Sequence, residues 1–276
     1  MKKFENIMIA SDLDGTFLAT GSKEVKRNIE AIEYFIENGG TFTFSTGRIG
    51  LHVLTALPNS RKYVNCPAVT CNGMSLHDLS SGQAVKKITA DTDLICDTVD
   101  LLFESYPNIA YRGITDKGVI SFQPENPFIK REAEFRSIPV IIVEREDWRK
   151  EEFFKLTLRD THEMLCLAKD IIEKNFPHKY NICFSESDLL EVQPFGISKA
   201  VTLMELREKV SEGKELKRLY AVGDYENDLE MLQCADVAVC PSNAIDSVKE
   251  ICDLCLCDNN TGVIADLIEY LDRTEL

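Results

Sequence analysis

Long apolar runs are missing from this sequence of 276 residues. The clearest stretches are as short as Ile138 to Val143, far from the roughly 18 residues that span a bilayer, so the chain is read as not transmembrane. Basic charge is scarce as well: 31 Lys and Arg stand against 46 Asp and Glu, a formal net charge of −15. So acidic a surface repels nucleic acid and anionic lipid over a Debye length of roughly 8 Å unless a local basic patch reverses the field. No nucleic-acid or membrane partner is expected, and an anionic substrate would need a metal ion or a focused cluster of Lys and Arg. Gly and Pro number only 14 and 9, and the hydrophobic fraction is 44%, which excludes disordered and fibrous architectures. A secretory signal is lacking too, because Phe4 to Ala10 is brief and Ser11-Asp12 follows at once. The expected location is the cytoplasm.

The phosphate-binding Gly-x-x-x-x-Gly-Lys-Ser/Thr loop, the Gly-x-Gly-x-x-Gly fingerprint and the Gly-x-Ser-x-Gly elbow are all absent, which removes P-loop kinase, dehydrogenase and hydrolase-triad readings. The four histidines, His52, His77, His162 and His178, avoid the carboxylate-rich stretches and read as surface or packing residues. Cysteine is plentiful at ten, but thiols of a cytoplasmic protein stay reduced and mostly pack as small hydrophobes, so disulfides are not expected. Cys252, Cys255 and Cys257 lie close together, yet no second Cys pair or nearby His completes a four-ligand zinc set.

What is present is an alternation of strand and helix. Ile7 to Ala10 reads as a buried strand, Lys23 to Asn38 as a helix closed by Gly39-Gly40, and Thr41 to Ser45 as a second strand. Gly50 to Leu57 reads as a helix and Ala68 to Cys71 as a third strand, giving a βαβαβ unit with a parallel sheet. The pattern resumes with a helix from Ser198, strands at Leu219 to Val222, Val237 to Cys240 and Leu254 to Leu256, and a last helix from about Gly262. Between them, several short strands and two helices, Thr92 to Tyr106 and Thr161 to Phe176, read as an α+β layer. The expected class is α/β: a Rossmann-like parallel-sheet core, residues 1–83 and 191–276, with an α+β domain inserted at 84–190.

Chemistry concentrates where the core strands end. Asp12-Leu13-Asp14-Gly15-Thr16 leaves the first strand with two carboxylates whose mutual repulsion favours a divalent cation between them or a raised pKa on one. Ser45-Thr46-Gly47-Arg48 follows the second strand with hydroxyls and a flexible N–H suited to an oxyanion. Gly223-Asp224-Tyr225-Glu226-Asn227-Asp228 brings further carboxylates out of a later strand, and Lys199 opens the helix after Pro194-Phe195-Gly196. Each stretch alone has an ordinary reading as a turn or helix cap. All four belong above one edge of a parallel sheet, where ligands gather at the carboxyl ends of strands.

With these motifs in order, the sequence resembles the haloacid dehalogenase (HAD) superfamily, specifically its Cof-type, sugar-phosphatase-like branch. The first motif of that family is similar to Asp12 to Thr16, the second to Thr46-Gly47-Arg48, the third to Lys199 and the fourth to Gly223 to Asp228. The resemblance implies a type-2 cap in the inserted segment and a phosphatase acting on small phosphorylated metabolites. Asp12 would be the nucleophile and Asp14 the general acid and base. Thr46, Gly47, Lys199 and Asn227 would hold phosphate, and Asp12, Asp14 (through its backbone carbonyl) and Asp224 would hold Mg²⁺, with Asp228 orienting the ligands around it. Asn72-Gly73 and Asn243-Ala244 would lie near this site. A phosphomannomutase-like mutase and a non-catalytic sensor of phosphorylated metabolites are the alternatives. Arg112, Asp116, Lys117, Glu186 and Asp188 are candidates for reading the alcohol, each with a plainer reading as a solvated turn residue. Trp148 reads as cap packing.

Overall fold

The computed structural model describes residues 2–135, 138–212, 215 and 217–274. Five strands, each lying parallel to its neighbours, form the sheet of the first unit in the order Leu254–Leu256, Val237–Pro241, Arg218–Val222, Ile7–Ser11, Thr41–Phe44. The strands Ile7–Ser11, Thr41–Phe44 and Val237–Pro241 are buried along their whole length, as expected of parallel strands covered on both faces. A bridge from Ser45 to Val69 adds the strand Ala68–Thr70 beside Thr41–Phe44. One face packs Phe17, Phe35, Phe42, Phe44 and Tyr63 with the helices Lys26–Glu37 and Val263–Thr274; the other packs Met8, Ala10, Leu203, Leu219 and Met231.

The chain divides into two compact units, one of residues 1–86 with 198–276 and one of residues 87–197 that interrupts it. The second unit is built on a six-stranded sheet in the order Val140–Ile142, Gly118–Ser121, Ala110–Thr115, Lys155–Arg159, Leu189–Pro194, Tyr180–Glu186, antiparallel except for its first pair. The helices Thr92–Phe103 and His162–Asn175 belong to it, each opened by a side-chain cap: Asp91 accepts from the Leu94 amide and Thr161 from the Met164 amide. Trp148 is buried in a run of rings with Phe122 and Phe153, as the packing reading anticipated.

Several elements depart from the sequence expectations. The helix expected from Lys23 begins at Lys26, because Lys23–Glu24 pairs as a short strand with Leu18–Ala19. The third strand ends at Thr70, not Cys71, since Cys71 and Asn72 take positive φ of 53° and 52° before Gly73 at 95°. Two strands, Ser75–Asp78 and Gln83–Lys87, and the helix Pro127–Phe135 had no counterpart in the pattern reading. Arg112 sits within the strand Ala110–Thr115 and is buried, so it is not a solvated turn residue.

Candidate active site

Asp12 is the first residue past the Ile7–Ser11 strand, and its amide still donates to Val222 O at 2.8 Å, so the carboxylate is set by the sheet itself. The chain then turns sharply, with Phe17 N donating to Asp12 O and Leu18 N to Leu13 O. Gly15 makes that turn at φ 77°, and a Cβ there would fall 2.3 Å from Asp224 Oδ2. Only glycine therefore allows the two acidic loops to approach so closely. Thr16 adds a tie, its hydroxyl donating to Asp224 Oδ1 at 2.5 Å.

Lys199 stands on the first turn of the helix Lys199–Val210, which Ser198 caps by accepting from the Val201 amide. Its ammonium donates to Asp12 Oδ1 and to Asp228 Oδ1, both at 2.7 Å, with the side chain almost wholly buried. The start of this helix is fixed against the Cys71–Gly73 turn. Thr202 donates to Gly73 O at 2.7 Å, and a Cβ on Gly73 would lie 2.2 Å from Ser198 O. Three residues in succession with positive φ, two of them not glycine, mark a strained turn that this packing holds in place. The same turn carries Asn72, whose Oδ1 accepts from Asn227 Nδ2 at 3.5 Å.

Asp228 fastens the fourth stretch. Its Oδ2 accepts from the amides of Asp224 and Tyr225 at 3.0 and 3.3 Å, while Oδ1 takes the lysine. Asp12, Asp224 and Asp228 are buried and offer carboxylate oxygens within 4.8 Å of one another. Burial pushes the Asp12 carboxyl well above the usual carboxylate range, against the pull of Lys199, and the charges of Asp228, Asp224 and Asp14 push the same way. Asp224 is pushed up to about 7, by burial first and then by Asp228, with the Thr16 hydrogen bond and Lys199 opposing. Burial alone would lower Lys199, but Asp12 and Asp228 outweigh it and hold the ammonium above the ordinary lysine value. One cation among three buried carboxylates leaves negative charge uncompensated.

Asp14 belongs to a different arrangement. Its carboxylate accepts both prongs of the Arg48 guanidinium, Nε to Oδ2 at 2.7 Å and Nη2 to Oδ1 at 2.5 Å, and is about half exposed. Thr46 is buried at the end of the second strand, its amide donating to Val69 O and its hydroxyl oxygen accepting from the Arg48 amide at 3.1 Å. Gly47 lies between them in the chain. Asn243 donates to Gly15 O at 2.8 Å, which draws the Asn243-Ala244 loop onto the Asp12–Thr16 turn. Direct contacts thus tie Asp12, Asp224, Asp228 and Lys199 together, with Asn227 reaching Asn72 nearby. The sequence assigns no role to the side chains of Arg48 and Thr16, although both lie inside its strand-end motifs. Their partners, Asp14 and Asp224, are 34 and 208 residues away, and no local periodicity announces such pairs. His52, four residues after Arg48, stands beside it, its Nε2 being 3.4 Å from Arg48 Nη1.

A family model described as haloacid dehalogenase-like hydrolase matches residues 9–268. The HMP-PP phosphatase of Escherichia coli is 25% identical over 246 residues, which cover 88% of this chain and 86% of that protein. Among solved structures, a protein of Streptococcus mutans superposes with a TM-score of 0.84 at 21% identity, over 97% of this chain and 99% of that one. A subclass IIB sugar phosphatase of the HAD superfamily superposes at 0.82 with 20% identity, over 96% and 99%. The match runs through both core segments and the segment between them, and the strand-end motifs fall within it; the chain belongs to the haloacid dehalogenase-like hydrolase family, in its Cof-type branch of phosphatases.

Proposed function

We propose that this chain is a Mg²⁺-dependent phosphatase that hydrolyses small phosphorylated metabolites, sugar phosphates or similar, through an aspartyl phosphate on Asp12. The observation that carries the reading is the buried arrangement of Lys199 at 2.7 Å from both Asp12 and Asp228, beside Asp224. Hard oxygen donors with surplus negative charge suit Mg²⁺, and Asp12, Asp224 and the Asp14 backbone carbonyl would hold it. When bound, the ion supplies charge neutralisation to the oxygens of the transferring phosphoryl group.

Phosphate-monoester hydrolysis is among the slowest uncatalysed reactions, and a covalent intermediate divides its barrier. In the first step an Asp12 oxygen bonds to phosphorus as the ester P–O bond breaks, and Asp14 protonates the departing alcohol. In the second, Asp14 takes a proton from water, whose oxygen bonds to phosphorus while the Asp12–phosphorus bond breaks. Lys199, the Thr46 hydroxyl, the Gly47 amide and Asn227 hold the phosphoryl oxygens, with Asp228 keeping Lys199 and the Asp224 amide in place. Arg48 holds the Asp14 carboxylate by a two-pronged pair, which fixes the orientation of that group. The inserted unit is the source of substrate selection.

The test is turnover of p-nitrophenyl phosphate with Mg²⁺ and with EDTA. Slow release that EDTA abolishes is expected, and Asp12→Asn should lose at least about 10³-fold in kcat. Acid-quenched protein should carry roughly 80 Da of extra mass on the Asp12 peptide. Normal turnover in the variant, or ongoing catalysis without that adduct, would remove Asp12 from its role. A panel of phosphorylated sugars, nucleotides and HMP-PP then identifies the alcohol.

A further inference from the structure

We propose, resting on the phosphatase reading above, that Asn72 is a positioning residue for phosphoryl transfer: the left-handed turn it centres aims the Gly47 amide and ties it to the start of the Lys199 helix. The backbone of Thr46 is held on both sides by residues 69–72. Its amide donates to Val69 O at 2.9 Å, and its carbonyl accepts from Asn72 N at 3.0 Å. Two residues on, Cys71 N donates to Arg48 O at 2.8 Å. In a planar trans peptide the C=O and the following N–H point in opposite directions, so a Thr46 carbonyl captured by Asn72 turns the Gly47 N–H away from the turn.

The capture takes two successive amides directed at one neighbouring loop. Cys71 and Asn72 supply them with φ of 53° and 52°. Asparagine tolerates that conformation, and a β-branched residue does not. On its far side the same turn meets the helix that opens with Lys199, where Thr202 donates to Gly73 O and Ser198 O leaves no room for a Cβ on Gly73. The turn therefore spans two groups assigned to the phosphoryl oxygens, the Gly47 amide and the Lys199 ammonium. Donors fixed in place before substrate arrives cost no reorganisation during the reaction.

The side chain reaches a third such group, Asn227, through Asn72 Oδ1. Asn72 is only 2% exposed, and its Nδ2 is buried with no hydrogen-bond partner. Glycine would take the same conformation without burying an orphan donor, so the turn alone does not call for asparagine. What asparagine adds is the contact with Asn227.

The experiment follows p-nitrophenyl phosphate turnover and inhibition by orthovanadate in Mg²⁺-loaded protein, with Mg²⁺ affinity measured by calorimetry and all assays run well below each variant's Tm. Asn72→Val should weaken vanadate inhibition and lower kcat/KM by about 10- to 100-fold while Mg²⁺ affinity stays within about 2-fold. Asn72→Gly keeps the turn and gives up only the tie to Asn227, so it should lose about 2- to 5-fold. Gly47→Pro removes the amide itself, and adding Asn72→Val to it should cost less than about 2-fold more, because both changes act on one donor. Wild-type vanadate inhibition in Asn72→Val, equal damage in Asn72→Gly and Asn72→Val, or additive losses in the double variant would each overturn the assignment. Asp12→Asn is assayed beside them. Its loss of turnover with an undamaged Asn72→Val removes Asn72 alone, whereas its normal turnover removes the phosphatase mechanism on which the role of Asn72 rests.

Discussion

The two units of this chain bury charge in opposite ways. In the inserted unit the buried charges close locally, cation to anion. Lys155 and Glu191 meet at 2.5 Å with both side chains nearly inaccessible, and Arg112 pairs with Glu132, while the partners of Arg159, Glu186 and Asp188, are more exposed. In the parallel-sheet unit a single lysine stands among Asp12, Asp224 and Asp228. Local closure serves structure, because a buried pair that is complete asks nothing of a ligand. Incomplete closure leaves protons or a dication to finish the neutralisation, which is why Asp12 and Asp224 hold protons so far above the usual range. Two candidates for reading the alcohol, Glu186 and Asp188, are partners of Arg159, and Asp116 pairs with Lys87.

The contrast can be broken experimentally, most sharply at Asp14. Asp14→Asn keeps shape and the backbone carbonyl but removes proton transfer, so kcat should fall by roughly 10² to 10⁴ while Mg²⁺ binding by calorimetry persists. Equal rates would show that the carboxylate takes no part. In the inserted unit, Lys155→Met should cost about 3–5 kcal/mol in denaturant unfolding by stranding Glu191, and the double variant Lys155→Met/Glu191→Leu should recover most of it. A double variant as damaged as the single would mean the pair does more than close on itself.

The smallest effect concerns pH. Folded, metal-free protein holds the Asp224 proton up to about 7, whereas the unfolded chain releases it near the ordinary 3.8. The folded state therefore binds the extra proton across that window, and stability in EDTA should fall as pH rises through it. A Tm drop of a few degrees (about 2–5 °C) between roughly pH 5 and 7.5 is expected, with Mg²⁺ restoring it. A flat Tm in EDTA would show that Asp224 ionises in the folded state as readily as in water.

Much of the parallel-sheet unit was legible because its strands are continuous apolar runs and its helices carry helical spacing. Leu254–Leu256 matches the expected strand, and Ile7–Ser11 and Thr41–Phe44 differ from theirs by single residues. The strand Gln83–Lys87 was harder to see: it alternates exposed and half-buried residues and ends in two lysines, so nothing in it reads as an apolar run. Pro127–Phe135 is a short helix in which charged residues interrupt the apolar ones. The left-handed Cys71 and Asn72 were not legible because neither residue type demands that conformation.

The sequence alone determined which residues stand at the ends of strands, since a hydrophobic run that stops at Asp12, Thr46 or Asp224 stops wherever the strand leaves the sheet. It could not determine which of those residues touch. That Lys199 joins Asp12 to Asp228, 187 and 29 residues away, and that Arg48 claims Asp14, followed only from the strand order and from two glycines that let loops close to within a Cβ radius. Strand-end chemistry is written locally by side-chain type. Its partners depend on backbone separations that only the packed sheet sets.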